Sequence, residues 1–293
     1  MGTELDSRGV DTHDALWSAL ALTTAPEAVR QVHTDYLEAG ARVITTNTYQ
    51  ATLPALLRAG HDAYLAREVI AAGARLAGEA ARRFGAEHPE AQVLIAGGLG
   101  PYGAYLADGS EYTGVYDVGA LDAPVFRDVH LPRVEVLAGE GIDLFALETL
   151  PRLDEAQALV GAVEDLAAES ECWVSFQVRP DGTHLADGTP LAEAAAWAAD
   201  QETVVAVGVN CVAPDVVARA LPVLHEATTK PLVAYPNSGD LYDPATKTWK
   251  AGEEGDGLAA LAPSWGASGV RLIGGCCRTR PAQIRELAHA LGA

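Results

Sequence analysis

The chain has 293 residues, 49% of them apolar, which is enough to bury a sizeable core in one large domain or two small ones. Its 40 acidic against 20 basic side chains give a formal charge of −20, and a surface that acidic repels phosphate backbones and anionic lipid, arguing against nucleic-acid or membrane-surface binding. No apolar run approaches the roughly 18 residues of a spanning helix, and residues 1–6 lack the basic flank and apolar stretch of a secretory signal.

In chain order, Thr24 and Glu27 have the spacing of a capping box, Pro26 suits the first turn of a helix over 26–39, and Gly40 suits its stop. A first apolar run follows at Val43–Thr46, then a helical stretch over 64–84 and a second run at Val93–Ala96. Residues 100–122 read as a long, irregular, aromatic loop, of the kind that in compact domains is usually functional. Beyond it, runs at Leu144–Leu147, Trp173–Phe176, Val204–Val209, Pro231–Tyr235 and Val270–Ile273 alternate with helical stretches over 153–168, 190–199, 214–227 and 281–291. A second long loop spans 236–257, with Asn237, Asp240, Tyr242 and Trp249. Short, near-continuous apolar runs suit strands buried on both faces, and their alternation with helices predicts one parallel sheet.

Seven strands are countable, whereas a (β/α)8 barrel needs eight, and the missing one should precede the helix at 26–39. The competing open, doubly wound sheet lacks its expected dinucleotide glycine pattern, because Gly97-Gly98-Leu99-Gly100 runs into Pro101; no phosphate-binding Gly-x-x-x-x-Gly-Lys occurs either. A single TIM-type α/β barrel domain over 1–293 is therefore the expected fold.

Four cysteines are too few for a disulfide framework in a chain this long, which suits a reducing cytoplasm, where clustered thiols more often bind metal or react. Cys211 follows the strand at 204–209, and Cys276 and Cys277 follow the strand at 270–273. Strand C-termini of a barrel converge on one face, so three thiols from two strand ends can gather on one zinc ion and leave its fourth position open. Gly274 and Gly275 would let the backbone turn sharply enough to aim both neighbouring thiols at it. The competing readings are small buried hydrophobes or a strained vicinal disulfide. Cys172, at the start of its strand, belongs at the opposite end as a packing residue. None of the eight histidines has metal-site spacing, and no Gly-x-Ser-x-Gly elbow supports a serine hydrolase.

Gly274-Gly-Cys-Cys-Arg-Thr-Arg-Pro281 and Gly208-Val-Asn-Cys211 resemble the paired zinc motifs of the homocysteine S-methyltransferase family. The resemblance runs on through Val43-Ile-Thr-Thr-Asn-Thr-Tyr-Gln50, Gly100–Tyr112, Ala146-Leu-Glu-Thr149, Asp187-Gly-Thr-Pro190 and Tyr235-Pro-Asn-Ser-Gly239, nearly the whole chain. It implies a zinc-bearing (β/α)8 barrel, the ligand set Cys211, Cys276 and Cys277, and methyl transfer from S-methylmethionine or S-adenosylmethionine to L-homocysteine. No general base is required, so no catalytic residue is expected beyond the metal site. The alternatives are another thiol or selenol acceptor, or a non-catalytic zinc-binding protein.

The resemblance also implies that Glu148 anchors the α-amino group of homocysteine; an ion pair with an arginine is the competing reading. Thr46, Asn47 and Asn210 lie at strand ends, where they could bind the amino-acid head group, support other residues or make local turn bonds. Tyr102, Tyr105, Tyr235 and Trp249 could hold a sulfonium cation over their rings or simply pack in loops. Family members begin with a strand ending in Asp-Gly-x-x-Gly-Thr-Glu-Leu, of which Gly2-Thr3-Glu4-Leu5 stands here behind Met1. The first strand and its acidic residue are thus expected to be missing, with lower stability and weaker acceptor affinity.

Overall fold

The computed structural model describes residues 1–12, 16–116, 123–243, 248–250 and 257–292, and for the hairpin at 241–250 the backbone alone. Strands β1 (Val43–Thr45), β2 (Leu94–Leu99), β3 (Leu144–Leu150), β4 (Glu171–Phe176), β5 (Val204–Asn210) and β6 (Leu232–Tyr235) are followed by a small hairpin, β7 (Leu241–Asp243) with β8 (Thr248–Lys250), and then by β9 (Val270–Ile273). Seven of them form one curled parallel sheet in the order β1-β2-β3-β4-β5-β6-β9. Every crossover carries a helix, as parallel neighbours require. The seven expected strands are all present; β2 and β3 run three residues further than expected, and the other ends agree within two residues.

The strand interiors explain this arrangement. All but the first residue of β4 is buried, as is all of β3 except Glu148, so both faces are covered and apolar runs replace strict alternation. Gly208 lets β5 approach β6: an added Cβ would stand 1.7 Å from the Val233 carbonyl oxygen. Among the described residues β1 pairs only with β2 and β9 only with β6, yet both edge strands line the same cavity.

The six expected helices are found, at Pro26–Glu38, Ala63–Glu87, Leu153–Leu166, Leu191–Ala199, Pro214–Ala227 and Pro281–Leu291. The capping box is not. Residues 21–24 form a helical turn of their own, the Thr24 hydroxyl donates to the Leu20 carbonyl, and Ala25 stands at the helix start without a side-chain cap. Gly40, at φ +106°, does end that helix.

Several helices escape the sequence pattern. Ala123–Gly139 carries Pro132 inside it, Leu258–Ala267 carries Pro263, and Gly2–Ser7 and Leu53–Arg58 are single short turns. The aromatic loop contains a short helix (Tyr102–Leu106) and a 3-10 turn (Ser110–Tyr112), with 117–122 outside the described residues. The second loop is organised by the β7–β8 hairpin, with 244–247 and 251–256 outside the described residues. The segment Gly2-Thr3-Glu4-Leu5 is helical. Its buried Glu4 accepts from Arg8 and Arg280, and the Thr3 hydroxyl accepts from the Arg278 amide at 2.9 Å, so the segment braces the turn after Cys277.

Candidate metal centre and substrate cavity

Parallel strands end together, and one cavity of about 550 Å3 takes in the C-terminal ends of β1, β3, β5, β6 and β9 and continues along β1 and β9. Cys211, Cys276 and Cys277 line it with their sulfurs all within 4.8 Å of one another, and the Cys211 and Cys277 sulfurs are 3.6 Å apart. A tetrahedral zinc site with bonds of about 2.3 Å sets neighbouring sulfurs ~3.8 Å apart, so a soft trio this close fits that ion. All three are free cysteines. Hydrogen bonding among the sulfurs, burial and mutual repulsion together raise each thiol well above its ordinary value.

The backbone aims these side chains in a way the sequence did not suggest. Cys211 itself takes left-handed backbone angles (φ +52°), and so does Arg278 (φ +63°) just past the vicinal pair. Gly274 and Gly275 have no positive φ. Gly275 is needed for close approach, because an added Cβ would sit 2.3 Å from the Thr279 side chain. A left-handed non-glycine residue costs on the order of 1–2 kcal/mol, which the surrounding hydrogen bonds must offset. The Cys211 amide donates to the Tyr235 carbonyl and the Cys276 amide to the Pro236 carbonyl, which fastens both cysteine segments to the end of β6.

Glu148 projects from β3 into the cavity, and burial pushes its carboxyl up to about 7 despite a hydrogen bond with Tyr235. Thr46 and Asn47 also line it. Thr46 accepts from the Gly98 amide at 2.9 Å and meets the Thr48 hydroxyl at 2.6 Å, while the Asn47 side-chain amide donates to the Ser18 carbonyl. Asn210 lies behind the wall: its oxygen accepts from the Thr149 amide (2.8 Å) and the Ser175 hydroxyl (2.7 Å), and its NH2 donates to the Thr149 hydroxyl. That bracket holds Thr149, at φ +62°, beside Glu148.

Of the four aromatic candidates, Tyr235 lines the cavity, held by the Trp173 indole N–H at 2.9 Å. Tyr102 packs against Tyr116 and Phe126, and Tyr105 lies under the Arg58 guanidinium, so both serve loop packing. The Trp249 side chain lies outside the described residues. Cys172 is fully buried at the start of β4, its thiol pushed up to about 12 by burial, as a packing residue should be.

Sequence reasoning passed over Tyr49, Gln50, Glu111 and Tyr112, which all line the cavity. The Tyr112 hydroxyl stands 4.0 Å from the Cys211 sulfur. Burial raises Glu111 to about 7. All four fall in segments already marked by their motifs, but only the folded loops show which side chains turn inward.

Known proteins resemble this chain along its length. The family model described as homocysteine S-methyltransferase matches residues 1–291. A homocysteine S-methyltransferase of Escherichia coli is 47% identical over 291 residues, covering 98% of this chain and 92% of its own, and homocysteine S-methyltransferase YbgG of Bacillus subtilis is 40% identical over 292 residues, covering 98% and 91%. The metallated form of the E. coli homocysteine methyltransferase MmuM superimposes with a TM-score of 0.88 at 43% identity, covering 99% of this chain and 93% of that one.

Proposed function

The chain belongs to the homocysteine S-methyltransferase family, and from that premise we propose zinc-dependent methyl transfer from a sulfonium donor to the thiol of L-homocysteine, giving methionine. The observation that carries the reading is the meeting of three sulfurs from two strand ends, at a spacing that suits one zinc ion, in a cavity that the half-buried Glu148 also lines. When bound, zinc lowers the pKa of a thiol of ordinary value about 8.5, so that the acceptor is a thiolate at neutral pH.

The chain's own residues do the rest. Cys211, Cys276 and Cys277 as thiolates give the site a formal negative charge that favours a cationic donor nearby. Glu148 binds the acceptor's ammonium group. Thr46, Asn47 and Asn210 support the wall, Asn210 by holding Thr149 and Ser175 and Thr46 by tying β1 to β2. The acceptor sulfur forms a bond to the methyl carbon as the donor carbon–sulfur bond breaks, and the leaving sulfur departs as a neutral thioether. Charge disappears during the step, so positioning matters more than acid–base work and no general base is needed.

The seven strands suit seven members of a (β/α)8 barrel within one domain over 1–293, because both sheet edges border the same cavity. A cytoplasmic location suits the free thiols; among the described residues no helix is long and apolar enough to cross a membrane. The test is zinc content together with methionine formation from homocysteine, with S-methylmethionine and S-adenosylmethionine as alternative donors. Cys276→Ser should lose both metal and turnover. Full turnover in a zinc-free variant would overturn the mechanism.

A further inference from the structure

Two side chains that line the cavity each carry a buried oxygen with no hydrogen-bond partner, Oε2 of Glu111 and Oε1 of Gln50; Nε2 of His33, elsewhere on its lining, is also unpaired. Glu111 and Gln50 are only 8% and 7% exposed. Both residues lie against the Gly103–Ala104 turn. Gln50 donates its NH2 to the Ala104 carbonyl at 2.8 Å, and Gly103 lies so close to Glu111 that an added Cβ would stand 2.3 Å from the Glu111 backbone nitrogen. The hydroxyl of the next side chain, Tyr112, stands 4.0 Å from the Cys211 sulfur.

Leaving a buried carboxylate oxygen and a buried amide oxygen unpaired is costly, and burial accordingly raises Glu111 to about 7. A ligand group that satisfies both needs several hydrogen-bond donors, and beside a carboxylate a cationic N–H donor makes the stronger bonds. An ammonium group meets both conditions; a sulfonium has no hydrogen to donate.

We propose that Glu111 and Gln50 form the subsite for the α-ammonium group of the methyl donor, so that the enzyme selects sulfonium donors that are themselves amino acids. This rests on the methyl-transfer reading above. That reaction brings together two amino acids, each with an ammonium group, and two carboxylates line the cavity: half-buried Glu148 on β3 and buried Glu111 on the loop after β2. In an amino-acid donor such as S-methylmethionine the ammonium lies four bonds from the sulfonium, so Glu111 can hold the first while the second approaches the cysteines past Tyr112.

The experiment compares S-methylmethionine with 4-(dimethylsulfonio)butanoate, which keeps the sulfonium and carboxylate but lacks the ammonium. The zinc-loaded wild type should prefer the first by about 10- to 100-fold in kcat/KM, the range of a charged hydrogen bond. In Glu111→Gln, kcat/KM for S-methylmethionine falls by about that factor while the deaminated donor and the homocysteine KM hardly change, so the preference collapses. Gln50→Leu moves the preference the same way to a smaller extent. Equal losses on both donors would place Glu111 at the sulfonium and overturn the assignment. A rise confined to the homocysteine KM would move the carboxylate to the acceptor, and an unchanged preference would remove it from substrate binding. If the wild type makes no methionine, the methyl-transfer reading fails instead. Calorimetric binding of the two sulfonium compounds to wild type and Glu111→Gln then still decides whether the ammonium is recognised.

Discussion

Replacing Arg133 with methionine breaks a buried hydrogen-bonded chain, Arg133–His130–Glu155, under the loops that border the cavity. Arg133 is fully buried and donates to the carbonyls of Tyr49 (2.7 Å) and Gly100 (2.9 Å) and to Nδ1 of His130 (2.5 Å). Burial lowers its pKa to about 10, so it stays charged at neutral pH. Burial also lowers His130, which is therefore neutral; its partners assign the tautomer, with Nδ1 accepting from Arg133 and Nε2–H donating to Glu155 at 2.9 Å. Glu155 accepts further from the Tyr116 hydroxyl (2.6 Å) and the Tyr102 amide. In Arg133→Met, Glu155 stays buried without its counter-charge and two loop carbonyls lose their donor. Removing one member of a buried charged pair costs about 3–5 kcal/mol. In a chain of this size each kcal/mol lowers Tm by about 2 °C, so the expected drop is about 6–10 °C. The assay is thermal unfolding of Arg133→Met, Glu155→Gln and the double variant. If the three groups act as one unit, the double variant loses less than the sum by about 1–3 kcal/mol. Additive losses, or a drop of under about 2 °C for Arg133→Met, would refute the linked network.

Gly208→Ala should both destabilise the protein and weaken the metal centre. Its Cβ would stand 1.7 Å from the Val233 oxygen, three residues before Cys211, so β5 and β6 must part, at about 1–3 kcal/mol. Unchanged Tm with full zinc content would contradict this. Stability of Glu111→Gln against pH tests the buried carboxyl. The folded pKa, about 7, lies above the ordinary 4.5, so the wild type holds its proton more tightly when folded. Stability tied to that group is fully present below about 4.5 and is lost as pH rises through 7, by up to about 3 kcal/mol. The variant should therefore gain on the wild type between pH 5 and pH 8 without substrate, and parallel Tm profiles would rule this out.

Much of this protein was legible in its sequence because parallel strands buried on both faces become short apolar runs, and because strand ends in such a sheet share one face. From these two rules follow all seven sheet strands and the meeting of Cys211 with Cys276 and Cys277, 65 residues on at the nearer. The helix at Ala123–Gly139 was not legible, since Pro132 and a weakly amphipathic pattern hide a segment whose Arg133 and His130 are held by buried charge. The capping box failed because Thr24 was already spent ending the preceding turn. Nor could local pattern show which polar side chains of a motif turn inward. Asn210 faces a bracket of neighbours, whereas Glu111 and Gln50 reach the cavity with acceptors unpaired, and only the packing of loops from separate strands decides between such outcomes.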